Sequence, residues 1–230
     1  MTLMAQLRTR DLLDSLGRED EQPIDREIEL DRNQNQGVER LVKVYKSYSR
    51  DWPNFDDGDR ALFDKIMSAE HLSVTSKNIE TFSLLFPNLD PNYYERYLGR
   101  FLSLCINRCE DAKITIHTAH LEISPDCLGM YNAGKYIVVR GNAAHSLGSE
   151  MSGGTVEVTG DVIGILCGLN MTGGEIIVRG DIKIGCIGTG MKGGRIHVYG
   201  EMDTGSIQAI RGAKIYHKNR LIFQDGRILK

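Results

Sequence analysis

The sequence predicts a mainly β protein, a parallel β-helix of about 20 residues per turn preceded by a small α-helical domain. Three observations predict it. A GxxMxGG block recurs at a constant spacing: Gly148 to Gly154 around Met151, Gly168 to Gly174 around Met171, and Gly188 to Gly194 around Met191. Each block is followed by a short apolar run closed by glycine, Val156 to Gly160, Ile176 to Gly180 and Ile196 to Gly200. Equivalent apolar residues then fall twenty positions apart, as in Val158, Val178 and Val198. Such a turn is too short for a strand, a crossover helix and a returning strand. Winding each strand onto its own copy is the simplest solution.

Within a repeat, the strand period of two puts Val156 and Val158 on one face, and likewise Ile176 with Val178 and Ile196 with Val198. Ile137 and Val139 precede them by nineteen residues, and Glu157, Arg179 and His197 belong to the opposite face. A second ladder runs through Val162, Ile182 and Met202, and another through Leu147, Cys167, Ile187 and Ile207. Met151, Met171 and Met191 form a further one, which implies three short strands per turn around a filled interior. The paired glycines suit corners, because glycine takes positive φ without a Cβ penalty. The repeat fades at Ile210, where Ile replaces Met. Lys113 to His117 and Leu121 to Ile123 read as the first turn, so about five turns are expected between residues 112 and 217.

The N-terminal half has helical periodicity. Residues 5–16 read as a short helix through Leu7, Leu12, Leu13 and Leu16, and residues 17–36 as a polar, charge-rich arm. Val38, Leu41, Val42, Tyr45 and Tyr48 form one helical face. Leu62, Phe63 and Ile66 mark a second helix, and Ile79, Phe82, Leu85 and Phe86 a third. Asp90-Pro91 opens a fourth, with the stripe Tyr94, Tyr97, Leu98, Phe101, Leu102 and Cys105. The expected organisation is 1–36 N-terminal helix and arm, 37–110 helical domain, 111–217 β-helix, and 218–230 C-terminal cap. The helical domain is expected to cover the first turn and the tail the last, since an open stack of strands invites aggregation.

With 28 Lys and Arg against 31 Asp and Glu, the chain has a formal net charge of −3. That gives no electrostatic case for nucleic acid. No apolar stretch is long enough to span a membrane. The N-terminal MTLMAQLRTRD lacks the apolar region of a secretory signal, so a cytoplasmic location is expected. Five cysteines, irregularly spaced, argue against a disulfide framework.

Candidates for chemistry are few. Cys105 and Cys109 lie a helical turn apart around Arg108, with Cys127 the nearest third thiol; a metal site would need two more ligands, and packing is expected. Cys167 falls on an inward ladder, and Cys186 also lies in the coil. Gly185, Gly188 and Gly190 precede a strand rather than a helix, which excludes a dinucleotide loop. His117 and His120 differ in parity and share a face only if a corner intervenes. His145 stands where the next turn has Ile165, and if exposed is a candidate contact to a partner's site. Asp161, Asp181 and Asn142 recur after the closing glycines and read as side chains bonding turn backbone. No nucleophile elbow, P-loop or triad is present, so no catalytic, cofactor-binding or metal-binding residue is assigned.

The run Gly141-Asn142-Ala143, Leu147-Gly148-Ser149-Glu150-Met151-Ser152-Gly153-Gly154-Thr155-Val156-Glu157-Val158, with its repeats to Gly200, resembles the GXGXG-domain superfamily over residues 112–215. That superfamily includes the C-terminal domain of the large glutamate synthase subunit. It also includes the non-catalytic β-helical subunits of formylmethanofuran dehydrogenase and of the related bacterial formyltransferase/hydrolase complex. The pattern looks closer to these β-helical subunits than to glutamate synthase. The resemblance implies a right-handed coil that performs no chemistry and braces larger catalytic subunits. The helical first 110 residues depart from the formylmethanofuran dehydrogenase pattern, in which the β-helix begins near the start of the chain.

The expected role is therefore a non-catalytic scaffold subunit of a redox or one-carbon/amidotransferase complex, without nucleic-acid or membrane partners. It would hold no cofactor itself, and its partners would carry flavin, an iron–sulfur cluster or molybdopterin. The alternatives are a member of a glutamate synthase-like complex, a homo-oligomer using the 17–36 arm, or an enzyme with a cleft between helices and coil lined by His145, Arg140, Asp161, Cys105 and Cys109.

Overall fold

The computed structural model describes residues 32–50, 73–86, 96–209 and 212–229. The expected 5–16 helix, the arm as far as residue 31, the Leu62–Phe63–Ile66 helix, the Asp90-Pro91 start with Tyr94, and Ile210 lie outside the described residues, as do the side chains of Tyr48 and Tyr97.

Among the described residues three helices come first: α1 (Arg32–Arg50), α2 (Ser76–Leu85) and α3 (Arg96–Arg108). α1 begins inside the segment expected to be an arm. The RNQNQ stretch contains no proline, glycine or β-branched residue, so only the modest propensity cost of Asn33 and Asn35 opposes an added helical turn. Its buried face is Val38, Leu41, Val44 and Tyr45, with Val42 partly buried beside it. α2 starts with a capping box between Thr75 and Asn78. Its Ile79, Phe82 and Leu85 are buried, as are Phe86 just beyond it and Leu98, Phe101, Leu102 and Cys105 of α3. Tyr45 meets Phe82, Phe86 and Phe101 edge-on, with ring centroids 5.1 to 5.8 Å apart. Edge-to-face packing of this kind suits the ring quadrupoles.

The coil follows as a right-handed parallel β-solenoid. Its long sheet stacks β1 (Lys113–His117), β2 (Ala133–Arg140), β3 (Gly153–Val158), β5 (Glu175–Val178), β7 (Arg195–Val198) and β8 (Lys214–His217), all in parallel. These six strands bound the five expected turns. A second side carries β4 (Val162–Ile163) and β6 (Ile182–Ile184), extended by bridges from Ala143 to Val162 and from Ile182 to Met202. The third side is thinner than expected, with single bridges from Cys167 to Ile187 and on to Ile207 in place of a strand.

The registers reproduce the ladders read from the sequence. Ile137 pairs with Val156, then Ile176, Ile196 and Ile215; Val139 pairs with Val158, then Val178 and Val198. All of these are buried, as are Met151, Met171 and Met191. One core cluster runs from Tyr45 of α1 to Phe223 near the C-terminus.

The glycine pairs have two reasons rather than one. Only the second member takes positive φ, +70° at Gly154, +83° at Gly174 and +84° at Gly194. The first is a close approach: a Cβ on Gly173 would stand 2.4 Å from the Ser152 carbonyl of the previous turn.

The solenoid closes at both ends. α2 packs on β1, and the Ser83 hydroxyl accepts the His117 amide at 3.0 Å. At the other end β9 (Arg220–Gln224) pairs antiparallel with β8, and β10 (Arg227–Ile228) with β9. Reversing direction ends the parallel stack.

Candidate functional site

Polar groups concentrate in three places, beginning with the corner after the long sheet. There Asn142 Oδ1 accepts the Asp161 amide, Asp161 Oδ1 the Asp181 amide, and Asp181 Oδ1 the Glu201 amide, each at 2.8 Å. Every side chain caps the backbone of its own equivalent one turn on. The arrangement leaves no room beneath it: a Cβ on Gly160, Gly180 or Gly200 would fall within 2.3 Å of the Asn or Asp oxygen. The hydrogen bond from Lys183, at 2.6 Å, and the Asp181 amide hold the Asp161 carboxyl below the usual carboxylate range. Asp161 is therefore a permanent acceptor, as the turn reading expected, rather than a proton carrier.

His145 does the same at another corner. Asp126 Oδ1 accepts the His145 amide, and His145 Nδ1 in turn accepts the Ile165 amide, both at 3.0 Å. Its ring is exposed, as the partner-contact reading required, but Nδ1 is already occupied by backbone. Acceptance at Nδ1 places any proton of the neutral ring on Nε2. The recurrence of an acceptor side chain at Asp126 and His145 was a sequence signal, obscured because the residue types differ.

The second place is the junction of helices and coil. His117 Nε2 lies 3.1 Å from Glu80 Oε1 of α2. The hydrogen bond from His117 lowers the Glu80 carboxyl, with Arg140 and Lys77 adding positive charge. A corner does bring His120 close to His117. Both His120 ring nitrogens are shielded without a partner in hydrogen-bond geometry, although the Ser83 backbone is near enough to favour a protonated ring; burial dominates and lowers its pKa. Sequence reasoning missed Glu80 and Ser83, because neither spacing nor pattern ties residues 80 and 83 to 117. Cys105, Cys109 and Cys127 are buried free thiols. Burial pushes the Cys105 thiol up strongly and the Cys167 thiol up to about 12, so neither supplies a thiolate near neutrality. Among the described residues no three His, Cys, Asp or Glu converge to hold a metal ion. Of the residues named for a cleft, Arg140 neighbours Glu80, while His145 and Asp161 are each engaged with the next turn.

The third place is the outward face of the long sheet. Tyr136 donates its hydroxyl to Glu157, and Glu157 pairs with Arg179 at 2.7 Å. The Arg179 guanidinium lies 4.7 Å above the Tyr199 ring. Lys113 sits 5.7 Å over Tyr136, extending the chain of contacts across five strands. Alongside, His197 stacks on Tyr216 at 4.3 Å and 2°. Its Nε2 is 3.1 Å from Glu175 Oε1, but off the direction a hydrogen bond needs. Glu157 and Arg179, placed on this face by sequence, are thus linked into one ribbon, and His197, placed there too, lies beside it.

The fold and these sites define a repeat protein with a scaffold-like solenoid, whose polar side chains serve its own turns and one ordered surface. Among the described residues no helix is long and apolar enough to cross a membrane. No family model, curated protein or solved structure matches the chain.

Proposed function

We propose that this chain is a non-catalytic scaffold subunit of a multi-subunit cytoplasmic enzyme complex of the redox or one-carbon/amidotransferase type, similar in role to the β-helical subunit of formylmethanofuran dehydrogenase. The observation that carries the reading is the use of the coil's polar residues. Asn142, Asp161 and Asp181, which recur after the closing glycines, and His145 each accept a backbone amide of the next turn. A rigid column with an ordered outer surface suits bracing larger subunits, and the GxxMxGG resemblance supplies the kind of complex. The cofactors in this reading belong to the partners.

Purification of the tagged chain from its native cells at physiological salt is the test. Stoichiometric larger subunits are expected, with the visible absorption of a flavin, iron–sulfur or molybdopterin enzyme. A chain that elutes from fresh extract as a lone monomer overturns the proposal.

A further inference from the structure

We infer that the outward face of the long sheet is the docking surface, and that its occupant is an acidic protein surface; this rests on the scaffold reading above. The charge on this face opposes that of the chain. Lys113, Arg140, Arg179, Arg195 and Lys214 face outward against Glu157 and Glu175, while the whole chain is at −3. Elsewhere Lys183 is paired with Asp161 and Lys218 with Glu201, both at 2.6 Å, whereas among the described residues of this face Arg179 alone has so close a carboxylate, Glu157 at 2.7 Å.

One pair shows what is missing. Arg195 and Lys214 are direct cross-strand neighbours in register, and both are exposed. Like charges so placed destabilise a sheet. Glu175 is a weak counter-ion to Arg195, at 3.9 Å, and also faces His197. A carboxylate from outside would sit between the two cations and relieve them. The ribbon around them is already ordered by the Tyr136–Glu157–Arg179–Tyr199 chain, which lowers the entropy lost on docking. Tyr and Arg are also the residues in which interface anchors are enriched.

The same face disfavours a polyanion strand. Glu157 and Glu175 sit in its middle and would repel a continuous phosphate backbone. One face of the Tyr199 ring is occupied by Arg179, and one of the Tyr216 ring by His197, which leaves less surface for bases to stack on. Discrete carboxylates of a folded partner fit the spacing better.

The test uses the full chain in its native complex. Wild type, the double variant Arg195→Glu/Lys214→Glu and the control Lys183→Glu are purified in parallel, and folding of each is checked by circular dichroism and thermal melting. The double variant is expected to retain its partner about tenfold less or worse, and the control to retain it. Zero-length carbodiimide cross-linking of the wild-type complex covers the case where the double variant does not fold. It is expected to join Lys113 or Lys214 to partner Asp or Glu residues. A folded double variant that keeps its partner, or cross-links that avoid Lys113 and Lys214, overturns the docking face while leaving the scaffold reading intact. Nucleic acid in the complex, with partner release by nuclease, overturns the acidic-protein assignment. Wild type that purifies alone overturns both readings.

Discussion

The middle turns of the coil and the helix–coil junction are held together by different logics. In the middle, each residue's neighbour is a copy of itself: Val158 lies between Val139 and Val178, and Asp161 between Asn142 and Asp181. At the junction each contact occurs once, as in His117 with Glu80 or Ser83 with the His117 amide. Repetition makes the first region tolerant of a swap that its own ladder already contains, and intolerant of any other. The junction has no such internal guide, and the depressed pKa values of His120 and Glu80 make it sensitive to acid.

The largest effect expected is from the repeated core. Ile176→Ala removes a fully buried side chain between Val156 and Ile196, and denaturant unfolding should show a loss of about 2–5 kcal/mol. A loss below about 1 kcal/mol would mean the ladders are not packed as stacked neighbours. Gly180→Ala comes next. Its Cβ would meet Asp161 Oδ1 at 2.2 Å and the Gly160 carbonyl at 2.6 Å, so a cost of about 1–3 kcal/mol is expected. Gly134→Ala, whose Cβ would enter open space, should be close to neutral by the same melt. Equal effects at the two glycines would break the close-approach argument.

Asp161 sharpens the comparison further. Asp161→Ala leaves the Asp181 amide without its acceptor and should cost about 1–2 kcal/mol. Asp161→Asn should retain most of that, because Asn142 fills the same role one turn earlier. Melts in which Asn is as damaging as Ala would argue for a charged role instead.

The smallest effect separates the regions by pH. The Glu80 and His120 pKa values are both depressed in the folded chain, the first mainly by the His117 hydrogen bond and the second by burial. Depressed values mean that the unfolded chain binds protons first as pH falls. Their contributions are therefore complete above the ordinary values of 6.5 for His and 4.5 for Glu, and are lost as pH falls through the folded ones. Amide exchange, corrected for its intrinsic rate, should speed up in α2 and β1 as pH drops below about 6.5, before the amides of Val158 and Val178 respond. His197 has the same sign but is only partly buried on the outward face. Uniform loss of protection would merge the two regions.

The same contrast explains how much was legible in the sequence. Val156, Val158 and their copies could be placed because a period of twenty is visible without knowing the fold, and the stacked registers follow from it. The reading of Asn142, Asp161 and Asp181 as backbone acceptors came from the same repetition. The start of α1 at Arg32 was missed because RNQNQ is polar on every side, with no apolar stripe to mark it. Glu80 and Ser83 were missed because a contact that occurs once leaves no periodic trace. Of the outward ribbon, the face of Glu157, Arg179 and His197 was readable from strand parity. Their connection to Tyr136, Tyr199 and Tyr216 depends on diagonal reach across strands, which parity does not encode.

The antiparallel return of β9 along β8, opposite α2 packed on β1, bounds the stack of turns. With α2 packed on the first strand and an antiparallel return on the last, neither end offers the next copy of its own parallel strand. The column therefore has a set height: inserting or deleting one twenty-residue turn would change it by a single strand spacing, about 4.8 Å.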